Sequence, residues 1–153
     1  MSIDGAFNFR RINEGLTTSG VVTAEQLRDL QRDGYDAVIN LLPDTHALAV
    51  PDESRRVEEL GLDYVYIPVD FDAPTRRDLD LFADAMDAHA GQKLHVHCAA
   101  NYRVSAFYAL YLLRKGWCSD AEADELIHDL WNPSEHRAWK EFMTQERARS
   151  LPQ

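Results

Sequence analysis

His97-Cys98-Ala99-Ala100-Asn101-Tyr102-Arg103-Val104-Ser105 is the stretch that decides how this chain folds. An apolar run ends at Cys98, and an arginine follows five positions on. A second apolar run, Ala106 to Leu113, reads as a helix. A strand, a tight loop and a helix in that order form an anion cradle, because the loop N–H groups and the helix N-terminus aim at one spot. A thiol at the mouth of that cradle is pushed toward thiolate, the nucleophilic form. The alternative is a small inert thiol closing a core strand. The convergence of Cys98, Arg103 and Ser105 on one loop favours the nucleophile.

Outward from that loop, strands alternate with helices. Expected strands are Glu14 to Ser19 (or an extended lead-in), Ala37 to Leu42, Tyr64 to Val69 and Leu94 to Cys98. Thr23 with Gln26 reads as a capping box for a helix that Gly34 ends. Asp52 to Leu60 is a second helix, stopping at Gly61, and Thr75 opens a third that Gly91 closes. Three helices follow the loop, from about Arg103 to Lys115, Ser119 to Trp131 and Asn132 to Arg147. Strands separated by helices imply parallel pairing with right-handed crossovers. The expected architecture is therefore a single α/β domain over residues 1–153, a three-layer sandwich whose mostly parallel sheet of four to five strands is flanked by helices. Its core spans about residues 14–116, with C-terminal helices over 119–148. Ligands in such sheets bind beyond the strands' carboxyl ends, so the loops after Ser19, Leu42, Val69 and Cys98 matter most.

Composition narrows the function classes. The net charge of −10 and the lack of a dense Lys/Arg block argue against nucleic acid and anionic membrane as partners. No stretch is long and apolar enough to span a bilayer, and Met1 to Arg11 lacks an apolar signal region, so a cytoplasmic location is expected. The two cysteines, Cys98 and Cys118, make no disulfide scaffold, and no Cys/His spacing suits zinc. Neither metal nor cofactor is expected.

In the loop, Cys98 is the candidate nucleophile and Arg103 the fork for two phosphoryl oxygens. A first-turn arginine opposes the helix dipole, which favours a ligand as its reason. Ala99, Ala100, Asn101, Tyr102, Val104 and Ser105 complete the phosphate loop, with Asn101 at a position suited to positive φ. Ser105 either bonds the thiolate or bonds back to the preceding turn. His97 is read as ordering the loop from its strand end. Thiolate attack on a phosphate ester needs a proton for the leaving oxygen. Asp70 is the first choice of acid and Asp72 the second. Asp44 and His46 rim the neighbouring loop, or are simple turn residues.

These residues resemble the cysteine-dependent tyrosine and dual-specificity phosphatase superfamily. The likeness rests on Val96-His97-Cys98, Arg103, Ser105, Asp70 with Pro74 four positions on, Ser19-Gly20 and the Val38 to Leu41 strand. It is nearest to the small bacterial phosphatase-like branch. The resemblance implies a metal-free phosphocysteine mechanism: Cys98 attacks phosphorus, Arg103 binds the equatorial oxygens, and Asp70 protonates the leaving group and then activates water. A phosphorylated small molecule or a phosphoprotein is the implied partner. The chain departs from the family in its loop, where Asn101 stands in place of the usual glycine. Four residues, rather than five, separate Cys98 from Arg103, and Val104 stands between Arg103 and Ser105. The same spacing resembles rhodanese sulfurtransferases, which carry a persulfide on the cysteine, though their acidic and Gly-His-Ile stretches are missing. A phosphate-binding module without turnover is the third reading.

Overall fold

Three short strands with every residue buried, Leu16–Ser19 (β2), Ala37–Asn40 (β3) and Leu94–His97 (β5), form the middle of the sheet. The computed structural model describes residues 2–150. The outer strands are Arg10–Asn13 (β1) and Asp63–Tyr66 (β4), in the order β1-β2-β5-β3-β4. All pairings are parallel except β1 with β2. Strands buried on both faces read as near-continuous apolar runs, which is why β3 and β5 are legible. The register sets Ser19, His97 and Asn40 side by side, so the chain leaves all three strands at one end of the sheet.

Helices cover both faces. Ala24–Arg32 (α1) and Glu53–Glu59 (α2) bury Leu27, Leu30 and Val57 against Val38 and Tyr35 on one side. Arg76–Ala88 (α3), Tyr102–Lys115 (α4), Asp120–His128 (α5) and Arg137–Ser150 (α6) cover the other, around Phe82, Phe107, Leu110 and Trp139. Capping boxes start three helices: Thr23 with Gln26, Thr75 with Asp78 and Ser119 with Glu122. The carboxylate of Glu146, 3% exposed, ties three helices together by taking Arg76 at 3.5 Å and Arg114 at 3.1 Å.

Three expectations change. The first strand is a hairpin: β1 precedes β2, and its alternately half-buried and exposed residues, two of them arginines, hide it from a hydrophobic reading. Regular strand pairing ends at Tyr66, but Ile67 and Val69 still donate N–H groups to the Asn40 and Leu41 carbonyls. The stretch expected as one helix from Asn132 is broken. Asn132 caps a 3-10 turn, Pro133–Glu135, and His136 is extended before α6 begins. Among the described residues no helix is long and apolar enough to cross a membrane.

Candidate active site

Cys98 follows the last residue of β5, and Asn101, in the left-handed region at φ 67°, precedes the first residue of α4. The turn is tight because Gly20 leaves room for it. A Cβ on Gly20 would stand 2.4 Å from the Ala99 carbonyl oxygen and 2.9 Å from the Ala100 Cα. That contact gives Ser19-Gly20 its physical reason. The strand-end hydrogen bond from Cys98 N–H goes to the Ser19 carbonyl. From Ala99 to Val104, no described residue accepts a hydrogen bond from the backbone N–H groups. Consecutive free N–H groups at a helix N-terminus are the donor set an oxyanion needs.

Arg103 lies in the first turn of α4 and is buried, at 7% exposure. No described carboxylate pairs with it, and its Nε has no acceptor. Its guanidinium carbon sits 5.1 Å from the centre of the Phe71 ring. A cation withdrawn from water costs several kcal/mol unless it is paired, and a ring face offsets only about 0.5–2 kcal/mol of that. An anion is the partner that suits this arrangement. Cys98 itself has no exposed surface. The sequence places the thiol at the mouth of the cradle, whereas the residue is fully buried.

The aspartates lie across Phe71. Both are exposed, and Asp70 Oδ1 accepts the Asp72 N–H at 2.9 Å, closing their own turn. Phe71 between them is pinned: its carbonyl takes the Trp139 Nε1–H at 2.7 Å, and its ring packs on Tyr102, Trp131, His136 and Trp139. Through Phe71 the loop carrying Asp70 and Asp72 thus reaches Tyr102 and Arg103. Tyr102 stacks flat on Trp131 at 4.7 Å, so it is half of an aromatic wall. Ser105 donates to the Tyr102 carbonyl at 3.0 Å and accepts from Trp131 Nε1 at 3.1 Å, the turn-bonded arrangement. Val104 is fully buried.

Around the loop lie Glu53 and His95, which the sequence did not flag, and His97, which it read as ordering the loop. His97 Nε2 meets Glu53 Oε2 at 2.7 Å, both buried, so the His97 side chain engages α2 and not the loop. Next to it, His95 is held on both nitrogens at 2.8 Å, by Thr17 Oγ1 and Ser19 Oγ. Burial first, and neighbouring His97 second, hold the His95 pKa well below the ordinary imidazole range, which favours the neutral ring. Ser19 donates to the Gly20 carbonyl, so it accepts from His95 Nε2–H, and in the neutral ring Nδ1 then accepts from Thr17. Asp44 and Glu53 line a cavity of about 420 Å3 with Tyr64 and Tyr66, while His46 Nδ1 accepts the Leu48 N–H in its own turn. Cys118 lies beyond the far end of α4, which by helix rise is roughly 20 Å from Cys98, too far for a disulfide. Burial pushes the Cys118 thiol up, and Glu122 and Asp120 add to that. Among the described residues no cluster of His, Cys, Asp and Glu could hold a metal ion.

The family model for the polymorphic toxin system DSP-PTPase phosphatase, Tc-R-P, matches residues 15–117, from the β-hairpin turn through α4. A DUF442 phosphatase-like protein from Shewanella putrefaciens CN-32 is similar over nearly its whole length. It is 37% identical, with a TM-score of 0.88, over 98% of this chain and 97% of that one. The chain belongs to this family of cysteine-based tyrosine and dual-specificity phosphatases. A beta-lactamase hydrolase-like protein of Xylella fastidiosa (strain Temecula1) is 32% identical over 120 residues, covering 76% of this chain and 28% of the relative. The chain thus spans about a quarter of the length of the curated relatives it matches. PTPMT1 in complex with PI(5)P shares the fold, at 23% identity and a TM-score of 0.69 over 94% of this chain and 99% of that one.

Proposed function

We propose that this phosphatase-family chain hydrolyses a phosphate monoester through a covalent phosphocysteine on Cys98. The observation that carries the reading is the buried, unpaired Arg103 guanidinium beside the free N–H groups of Ala99 to Val104. That arrangement supports reading the loop as a receptor for a phosphoryl group. In this account the anion displaces water from the cradle, and its oxygens take the loop N–H groups and the Arg103 fork. The Cys98 thiolate attacks phosphorus in line while Asp70, or Asp72 in its place, gives a proton to the leaving oxygen. Water, deprotonated by the same carboxylate, then releases phosphate and restores the thiolate. A phosphorylated small molecule or a phosphoprotein is the ligand class we assign, in keeping with the PI(5)P held by the similar PTPMT1 structure.

A second reading is favoured by the four-residue spacing between Cys98 and Arg103 and by the engagement of Asp70 in its own turn. In it, Cys98 carries a persulfide and passes sulfur to a thiophilic acceptor. The N–H groups then stabilise the terminal sulfur, and neither aspartate has a role.

One pair of assays separates the readings. The phosphatase account expects phosphate release from an aryl phosphate, abolished in Cys98→Ser and slowed roughly 10²-fold or more in Asp70→Asn, the usual worth of general-acid help. Sulfur transfer expects thiocyanate from thiosulfate and cyanide, lost in Cys98→Ser and unaffected in Asp70→Asn. Phosphate binding with neither turnover leaves a binding module.

A further inference from the structure

We propose that Asn8 and Asn101 form a reciprocal amide clamp that aims the N–H groups of Ala100 and Asn101 into the anion cradle, making the segment ahead of β1 a positioning part of the site. The inference rests on reading the loop as an anion receptor, and goes beyond it by assigning who orients the donors.

Asn8 Nδ2 donates to the Ala100 carbonyl at 2.9 Å, and Asn101 Nδ2 donates back to the Asn8 carbonyl at 2.9 Å. The same Asn101 nitrogen reaches Thr18 Oγ1 at 2.9 Å, so the clamp also grips β2. Two backbone bonds flank it: Gly20 N–H to the Phe7 carbonyl at 2.7 Å, and Val21 N–H to the Ala99 carbonyl at 2.8 Å. In a trans peptide the C=O and the following N–H point in opposite directions. The Ala99 carbonyl is turned out to Val21, so the Ala100 N–H faces the other way. The Ala100 carbonyl is turned out to Asn8, so the Asn101 N–H likewise faces the other way. Neither N–H meets a described acceptor. Two carbonyls anchored outside thus fix two donors inside.

Both asparagines occupy the left-handed region, at φ 52° and 67°. Glycine satisfies that backbone more easily than asparagine. Backbone need alone therefore does not explain either residue, while the side-chain hydrogen bonds do. Asn101 also buries its Oδ1 without a partner, a cost expected of a side chain retained for its donor end.

Because glycine accepts the same positive φ while removing the clamp's side chains, Asn8→Gly, Asn101→Gly and the double variant make a cycle in the full-length protein. The readouts are 15N relaxation of the backbone amides in the free protein and titration with inorganic phosphate. The clamp predicts disorder confined to residues 99–102 and phosphate affinity weakened roughly tenfold in each single variant. The double variant is expected to be no worse than the poorer single, since both break one device. Asn8→Asp is isosteric and removes the donor without touching buried Asn101, so it serves if a glycine variant fails to fold. A fall in melting temperature with loop order and phosphate affinity intact overturns the clamp as a positioning device. Loop disorder in the variants with no phosphate binding by the parent instead overturns the receptor reading, and with it the purpose assigned to the clamp.

Discussion

Glu53, the first residue of α2, holds His97, the residue just before Cys98, at 2.7 Å, and both side chains are buried. A carboxylate in a helix's first turn is favoured by the dipole, which partly offsets its burial. His97 Nδ1 has no partner, so Glu53 is the one hydrogen-bond partner of this ring among the described residues. Removing it strands a buried imidazole. Glu53→Ala is expected to destabilise the fold by about 1–3 kcal/mol, and Glu53→Gln, which still accepts a hydrogen bond, by less. Urea unfolding checks the order, and equal stability of Glu53→Ala and the parent contradicts it.

His95 makes stability pH-dependent. In the unfolded chain its imidazole takes a proton near pH 6.5, while burial keeps the folded one neutral well below that. Below pH 6.5 the unfolded state therefore binds one proton more than the folded state. Acid then drives unfolding, by at most about 1.4 kcal/mol per pH unit for this group. Its stabilising contribution is complete above pH 6.5 and declines as pH falls further. Urea midpoints between about pH 7 and pH 5 are expected to drop. The part due to His95 disappears in His95→Gln.

Gly20 is where the loop touches the neighbouring strand exit. In Gly20→Ala the new methyl meets backbone, at 2.4 Å from the Ala99 oxygen, and backbone yields only by moving the loop. The substitution is expected to cost about 1–3 kcal/mol of stability and to weaken phosphate binding. Calorimetric titration with phosphate reads the second effect, and unaltered affinity argues that the loop has slack.

Phe71 supports Arg103 and separates the two aspartates. Phe71→Leu removes the ring face under the guanidinium, worth about 0.5–2 kcal/mol, and loosens the acid loop. Weaker phosphate binding is expected, with Phe71→Tyr restoring it. Arg103→Lys loses both the planar fork and the stacking, so its loss should exceed that of Phe71→Leu. Comparison of KM and kcat on an aryl phosphate checks this ranking.

The loop was legible because its signals are local. An apolar strand, a short polar turn and an amphipathic helix lie within about twenty residues, and Asn101 sits where its positive φ was expected. Three capping residues, Thr23, Thr75 and Ser119, were readable for the same reason. What escaped is non-local or counter to pattern. Glu53 is 44 positions from His97, and Asn8 is 92 from Ala100, so no periodicity joins them. In β1, Arg10 and Arg11 mask a strand whose pairing, not its apolarity, defines it. The extended His136 breaks a stretch that composition alone reads as helix. The full burial of Cys98 was hidden as well, since it arises from packing that sequence order does not show.

The central claim, that Cys98 forms a bond to phosphorus inside this cradle, is tested most directly by acid-quenching the protein during turnover of an aryl phosphate and mapping adducts by mass spectrometry. The account predicts a phosphoryl group on the peptide carrying Cys98, accumulating further in Asp70→Asn if hydrolysis of the intermediate slows more than its formation, and missing in Cys98→Ser. A Cys98 peptide that stays unphosphorylated throughout, yet gains one sulfur after thiosulfate, would contradict it.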